Sequence, residues 1–190
     1  MGVIFITGSP GVGKSTIATR LASAIKTEYL NLGEASIKEG FVLSFDEARK
    51  CPVVDLKKLG KHILKLVNES RKNIILDGHY LVELPEKQVL FIFLLRCHPV
   101  ELERRLKSKG FNERKITENV LSEILDSCLL EASNLYSSSK IHEIDTTNKG
   151  ADLVLQEILK VFRKRKKPTI GICDWIDELG KEKMAKLLRG

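Results

Sequence analysis

The sequence predicts an α/β fold, a parallel β-sheet covered by helices on both faces. Three observations carry that expectation. Short apolar runs (Val3–Ile6, Asn73–Asp77, Gln88–Leu95 and Ile141–Ile144) alternate with segments of helical spacing. The first three of those runs are apolar at successive positions rather than at every second one, as strands buried on both faces are. The first run leads directly into a glycine-rich turn and then a helix pattern. The 190 residues and 43% apolar content suit one compact domain, expected over residues 1–167, with a small tail helix over 168–190.

The elements follow in order. Val3 to Ile6 ends at Thr7-Gly8 and reads as a buried strand. Lys14 to Ile25 places Ile17, Leu21, Ala24 and Ile25 on one helix face, and Tyr29 to Leu32 reads as a second short strand. Gly33 to Pro52 is polar and reads as irregular. Leu56, Leu59, Ile63, Leu64 and Val67 recur at three and four, which predicts a helix over Asp55–Ser70. The strand over Gln88–Leu95 is followed by Pro99, suited to the first turn of a helix. Ile116, Val120, Ile124, Cys128 and Leu135 predict one long amphipathic helix, and Ala151–Phe162 a last one that runs into basic residues. Beyond Pro168, Ile172, Trp175, Ile176 and Leu179 have helical spacing, with Asp174 placed to cap them; this tail is expected to pack on the protein's own core, or else to bind a partner.

Composition narrows the function classes. The net charge is +7, and Lys160, Arg163, Lys164, Arg165, Lys166 and Lys167 carry six of those charges. The body is therefore nearly neutral, and the chain as a whole does not read as a nucleic-acid binder. The run Arg163–Lys167 reads equally as a solvated helix end or as an RNA contact. Cys51, Cys97, Cys128 and Cys173 form no CxxC pair and read as small apolar residues. The longest apolar run, Val89 to Leu95, is too short to cross a membrane. Met1 leads straight into a strand pattern without a signal-like core, so the expected location is cytoplasmic, or nuclear in a eukaryote.

Gly8-Ser9-Pro10-Gly11-Val12-Gly13-Lys14-Ser15 matches GxxxxGK[ST] between a strand and a helix, the context of a P-loop. Glycines let the backbone close around phosphate oxygens while amides at a helix start face the anion. Lys14 is expected on the β- and γ-phosphates of ATP, Ser15 on Mg²⁺ and Thr16 on the α-phosphate. The stretch NIILDGHY, residues 73–80, ends a strand at an acid, a glycine and an imidazole. Asp77 reads as the carboxylate that steadies the Mg²⁺ shell, or else as a helix cap. His79 reads as the group that orients a water or accepts a proton, or else as a structural histidine. Arg96 at a strand end, Arg104 and Arg105 on the next helix, and Lys107–Lys115 read together as cations closing over a transferring phosphoryl group, or singly as exposed helix-face charges.

GSPGVGKST, CPVVD, LDGH and LRCHPVELERRLKSKGFNERKITENV together resemble the adenylate kinase isoenzyme six family, also known as coilin-interacting nuclear ATPases. The resemblance runs from about Val3 to Phe162. It implies a nucleoside monophosphate kinase-like P-loop fold of three layers, with a monophosphate-binding insert at about 33–56 and a lid at about 108–118. It implies triphosphate contacts from Gly11, Gly13, Lys14, Ser15 and Thr16, with Asp77 and His79 at the family's acid and histidine positions. Lys109 stands where the family often has arginine in the lid's first turn, and keeps the charge without the planar fork. In the insert, Lys38 is the only cation of Glu34–Lys38. The activity implied is Mg²⁺-dependent transfer from ATP to AMP or a related monophosphate, with ATP hydrolysis. The resemblance also implies a role in late maturation of the small ribosomal subunit, through a platform ribosomal protein and rRNA.

Overall fold

The computed structural model describes residues 1–47, 51–164 and 166–180. Five parallel strands form the main sheet in the order β2-β5-β1-β6-β7: β2 (Glu28–Asn31), β5 (Ile74–Asp77), β1 (Val3–Thr7), β6 (Val89–Arg96) and β7 (Ile141–Asp145). Alternation along β1 divides the core. Ile4 and Ile6 face a layer containing α1 (Lys14–Ile25), α4 (Pro99–Ser108), α5 (Glu113–Ile124) and α7 (Ala151–Phe162). Val3 and Phe5 face the other layer, built on α3 (Leu56–Glu69) and α6 (Ser127–Leu135). Leu59, Ile63 and Val67 make the buried stripe of α3, each contributing about 1.5–3 kcal/mol of apolar burial. Among the described residues no helix is long and apolar enough to cross a membrane.

The strands end together at one edge, at Thr7, Asn31, Asp77, Arg96 and Asp145. The chain leaves β1 toward β2 and later returns past β1 to β6, so β1 lies beside the point where the strand order reverses. Ligands of open α/β sheets bind at that edge.

Three sequence expectations are corrected. The stretch 33–52 is not irregular. Asn31 caps a two-turn helix, α2 (Leu32–Lys38), by accepting from the Glu34 amide at 3.0 Å. An antiparallel hairpin follows, β3 (Val42–Asp46) with β4 (Cys51–Val54). The segment is too short for periodicity to register, and the side chains of β3 are mostly exposed. The second strand ends at Asn31 rather than Leu32, because Leu32 is the first residue of α2. The long helix over 116–135 is two helices. Asp126 takes a left-handed backbone (φ 53°) between α5 and α6, and its carboxylate pairs with Arg96.

The tail lies along the sheet's β7 edge. Glu143 N–H donates to the Thr169 carbonyl at 2.9 Å, and the Thr169 amide donates to Nδ1 of buried His142 at 3.0 Å. The Gly171 and Ile172 amides donate to the Glu143 carboxylate. Asp174 caps residues 175–180 by accepting from the Asp177 amide at 3.0 Å. Trp175 and Leu179 join the α1/α5/α7 core. Residues 181–190 of the expected tail helix lie outside the described residues.

Candidate active site

The P-loop leaves β1 at the centre of the sheet. Gly8 has φ +136°, and a Cβ there would lie 2.3 Å from the Leu95 carbonyl oxygen. Gly13, at φ +103°, is the N-cap of α1, and nothing lies within 4 Å of where its Cβ would be. No side chain caps α1 and its first turn carries no acid, so the first-turn amides have no side-chain anion to satisfy them. The Lys14 ammonium donates to the Ser9 carbonyl at 3.1 Å. Burial lowers the Lys14 pKa and nearby Lys109 adds to that; Asp77, Cys128 and Glu123 oppose it. Gly11 is half-buried against Leu102 and Leu106 of α4, and the side chains of Ser15 and Thr16 are exposed.

Asp77 ends β5 in parallel register with Ile6 and Asn31. It is fully buried and caps no helix. Its Oδ2 accepts from the Tyr29 hydroxyl and from Asn31 Nδ2, each at 3.1 Å. Its Oδ1 is buried without a hydrogen-bond partner. Burial raises the Tyr29 pKa, Asp77 adds to the effect, and the Ser15 hydroxyl lies close enough to oppose it. A buried, unpartnered carboxylate oxygen normally carries a cost. Asp77 lies within electrostatic reach of Lys14, Tyr29 links its other oxygen to the neighbourhood of Ser15, and Mg²⁺ favours a site of one or two carboxylates completed by phosphates and water. The donor set of Asp77 Oδ1 and the Ser15 hydroxyl therefore fits Mg²⁺.

His79 follows after Gly78. Its ring meets Tyr80 edge-on at 4.9 Å. Desolvation lowers its pKa, Lys14 adds to that and Asp77 opposes it, so the imidazole is neutral at pH 7. His79 also lines a cavity of about 390 Å³ with Gly33, Ser36, Ile37, Cys51 and Val54. The insert with its hairpin and the segment just after β5 thus surround one space. A larger cavity of about 610 Å³ lies between α3 and α6.

On the lid side, only Lys109, Gly110, Phe111 and Asn112 separate α4 from α5. Lys109 is the exposed C-cap of α4, and Asn112 caps α5 by accepting from the Lys115 amide at 2.9 Å. Arg96 does not join the phosphate cations as its strand-end position predicts. It is 2% exposed, donates to Glu123 Oε1 at 2.7 Å and to the Glu123 carbonyl at 3.2 Å, and pairs with Asp126 and Glu143. Burial would lower its pKa, but Glu123 foremost, then Asp126 and Glu143, hold it charged. Arg104 pairs with Glu101 on the surface, and Arg105 bonds Glu101 and the Thr146 carbonyl. Of the basic run, Lys166 pairs with Glu157, and Arg165 lies outside the described residues.

Sequence reasoning missed Tyr29 and Asn31. They alternate on one face of a strand bordering β5, which was the available signal. It also missed Glu123, an acid set among the apolar positions Ile116, Val120 and Ile124.

Residues 4–126 match the AAA domain family. The chain is 38% identical over 92% of its length to a protein of Methanocaldococcus jannaschii named "Putative adenylate kinase", of which it covers 93%. It is 35% identical to the protein of the same name from Pyrococcus abyssi, over 91% of each. The adenylate kinase isoenzyme 6 homolog of Drosophila melanogaster is 31% identical over 86% of this chain and 93% of its own length. The chain belongs to the adenylate kinase isoenzyme 6 family. Membership makes it a P-loop kinase of the adenylate kinase kind, and the P-loop, Asp77 and the lid turn lie within the matched region. Two solved structures share the fold: a Sinorhizobium meliloti gluconokinase (TM-score 0.57, 16% identity, 86% of this chain and 93% of that one) and a Bacteroides thetaiotaomicron shikimate kinase (TM-score 0.53, 18% identity, 85% and 98%).

Proposed function

We propose that this chain transfers the γ-phosphoryl group of ATP to AMP or a closely related monophosphate, yielding two nucleoside diphosphates, and that it hydrolyses ATP slowly. The observation that carries the reading is His79. It lies within electrostatic reach of Lys14 and Asp77 and also lines the 390 Å³ cavity, so a donor on the P-loop and an acceptor in the cavity would meet across it. An oxygen of the acceptor phosphate attacks the γ-phosphorus. The bond from that phosphorus to the oxygen bridging it to the β-phosphate breaks, and no covalent enzyme intermediate is needed. The first-turn amides of α1 and Gly13 hold the β- and γ-phosphates. Lys14 exchanges its bond to the Ser9 carbonyl for phosphate oxygen, and Lys109 closes from the lid. Ser15 and Asp77 Oδ1 would hold Mg²⁺, with Tyr29 and Asn31 fixing the Asp77 carboxylate. When bound, Mg²⁺ neutralises charge on the phosphates. Neutral His79 orients the acceptor or, in hydrolysis, a water.

A coupled assay tests this by comparing ADP formed from ATP plus AMP with ADP formed from ATP alone. A rate that AMP raises manyfold supports the reading, and one that AMP leaves unchanged refutes it.

A second reading has one observation in its favour. Clefts of about 230 and 380 Å³ along α7 are lined by Lys160 with Arg163, Lys149 and Lys166. That surface suits an RNA or acidic partner. The chain would then act as an ATP-driven switch in small-subunit maturation, bound to a platform ribosomal protein, with transfer to AMP incidental. Binding to small-subunit RNA that weakens steeply with salt, and is lost in Lys160→Ala/Arg163→Ala, would favour it.

A further inference from the structure

One buried carboxylate joins the P-loop to the C-terminal tail. Glu123, 2% exposed, accepts from the Ser9 hydroxyl on Oε2 at 2.7 Å. Its Oε1 accepts from Arg96 Nε at 2.7 Å, from the Trp175 indole N–H at 3.1 Å and from the Cys97 amide at 3.3 Å. Ser9 and Trp175 are 1% and 5% exposed, so water does not compete for these bonds. Trp175 also lies against the Arg96 guanidinium, 5.9 Å from ring centre to Cζ, and meets His98 edge-on at 5.4 Å. The Ser9 carbonyl accepts from Lys14 Nζ at 3.1 Å and from the Val12 amide at 3.4 Å. A continuous chain of bonds therefore runs from the tail indole through Glu123 and Ser9 to the P-loop lysine.

We propose that Glu123 is a positioning residue for the P-loop, with Trp175 of the tail as its second anchor, so that the tail and the nucleotide site are coupled through one carboxylate. This rests on the reading of the P-loop as an ATP site. A desolvated carboxylate takes the orientation its donors set. Arg96 and Trp175 fix Oε1, and that aims Oε2 at Ser9. The Ser9 hydroxyl in turn fixes the carbonyl on which Lys14 rests before phosphate draws it away. If the Trp175 N–H is lost, one constraint on the carboxylate is lost. If the Ser9 hydroxyl is lost, the loop is cut from the carboxylate altogether, and the state of Trp175 no longer reaches it.

Trp175 is the single tryptophan of the chain, so intrinsic tryptophan fluorescence reports the tail end of this path. The experiment titrates MgATP into the full chain, read by calorimetry for the parent, Ser9→Ala, Trp175→Phe and the double variant, and by fluorescence for the parent and Ser9→Ala. Phenylalanine keeps an aromatic ring in the core and removes the donor. The parent's fluorescence should change with the same midpoint as the calorimetric isotherm. Ser9→Ala should weaken MgATP by about tenfold, equivalent to about 1.4 kcal/mol, and abolish the fluorescence response. Trp175→Phe should weaken binding by roughly threefold, and the double variant should bind no more weakly than Ser9→Ala. Single variants with parent affinity, or a double variant whose loss is the product of the two single losses, overturn the inference even if both variants melt at lower temperature. A parent that binds no MgATP refutes the ATP-site reading and this inference together.

Discussion

Replacing Arg96 by methionine separates two roles that a cation at a strand end can have. The guanidinium meets Glu123, Asp126 and Glu143, and the first and last of these are 2% and 0% exposed. Methionine keeps an unbranched apolar stem and removes the guanidinium, which leaves those two carboxylates in the core without their cation. Removing one partner of a buried ion pair costs about 3–5 kcal/mol, because the other charge is left uncompensated. At about 2–4 °C per kcal/mol for a chain of this size, Tm should fall by roughly 6–20 °C. Thermal unfolding followed by circular dichroism measures this, with Arg96→Met/Glu123→Gln/Glu143→Gln as the control. Neutralising the stranded carboxylates should recover part of the loss. At temperatures where Arg96→Met remains folded, its turnover at saturating ATP should stay within about tenfold of the parent, since the side chain reaches no phosphate. An Arg96→Met protein that melts with the parent yet loses turnover by several orders of magnitude would refute the reasoning. The guanidinium would then act on phosphate.

Asp77→Asn keeps the bonds to Tyr29 and Asn31 and removes the charge at Oδ1, so the Mg²⁺ concentration needed for half-maximal ADP production should rise and turnover should fall roughly a hundredfold or more; an unchanged Mg²⁺ dependence would refute the role given to Asp77. The lowered pKa of His79 predicts an ADP-forming rate that is flat near neutrality and falls as pH drops below about 6.5 toward that lowered value, a limb that His79→Gln should remove. Burial foremost, then Lys166, lowers the His142 pKa against the opposition of Glu157. The folded chain then binds this proton less readily than the unfolded chain. The contribution of His142 is complete above the unfolded value of about 6.5 and is lost as pH falls through the window below it. Urea midpoints measured from about pH 5 to 8 should therefore slope downward on the acid side, and less steeply in His142→Gln.

Much of the fold was legible because a parallel sheet between two helix layers writes long apolar runs, and the P-loop supplied a fixed starting point on β1. The misread segments are those where tertiary partners override local pattern. Asp126 breaks the expected long helix by taking a left-handed backbone and pairing with Arg96 from another element, and no spacing rule reports such a pairing. The α2 helix is only two turns long and the hairpin strands are four and five residues, so neither period registers. Within the candidate site, the positions of Lys14, Ser15 and Asp77 at one sheet edge were legible from a motif and a strand end. Tyr29 and Asn31 were not, because their relevance depends on β2 lying beside β5 although more than forty residues separate them in sequence. Arg96 was misjudged for the related reason that a strand-end arginine reads as a ligand contact until its three acidic partners are known.

The central claim is that the P-loop amides and Lys14 hold the triphosphate of ATP. Calorimetric titration of MgATP into the parent and Lys14→Met tests it most directly. The parent should bind, and Lys14→Met should bind at least about tenfold more weakly, with ADP production reduced by roughly a hundredfold or more. A Lys14→Met protein that binds MgATP as tightly as the parent and turns over at the parent's rate would contradict it.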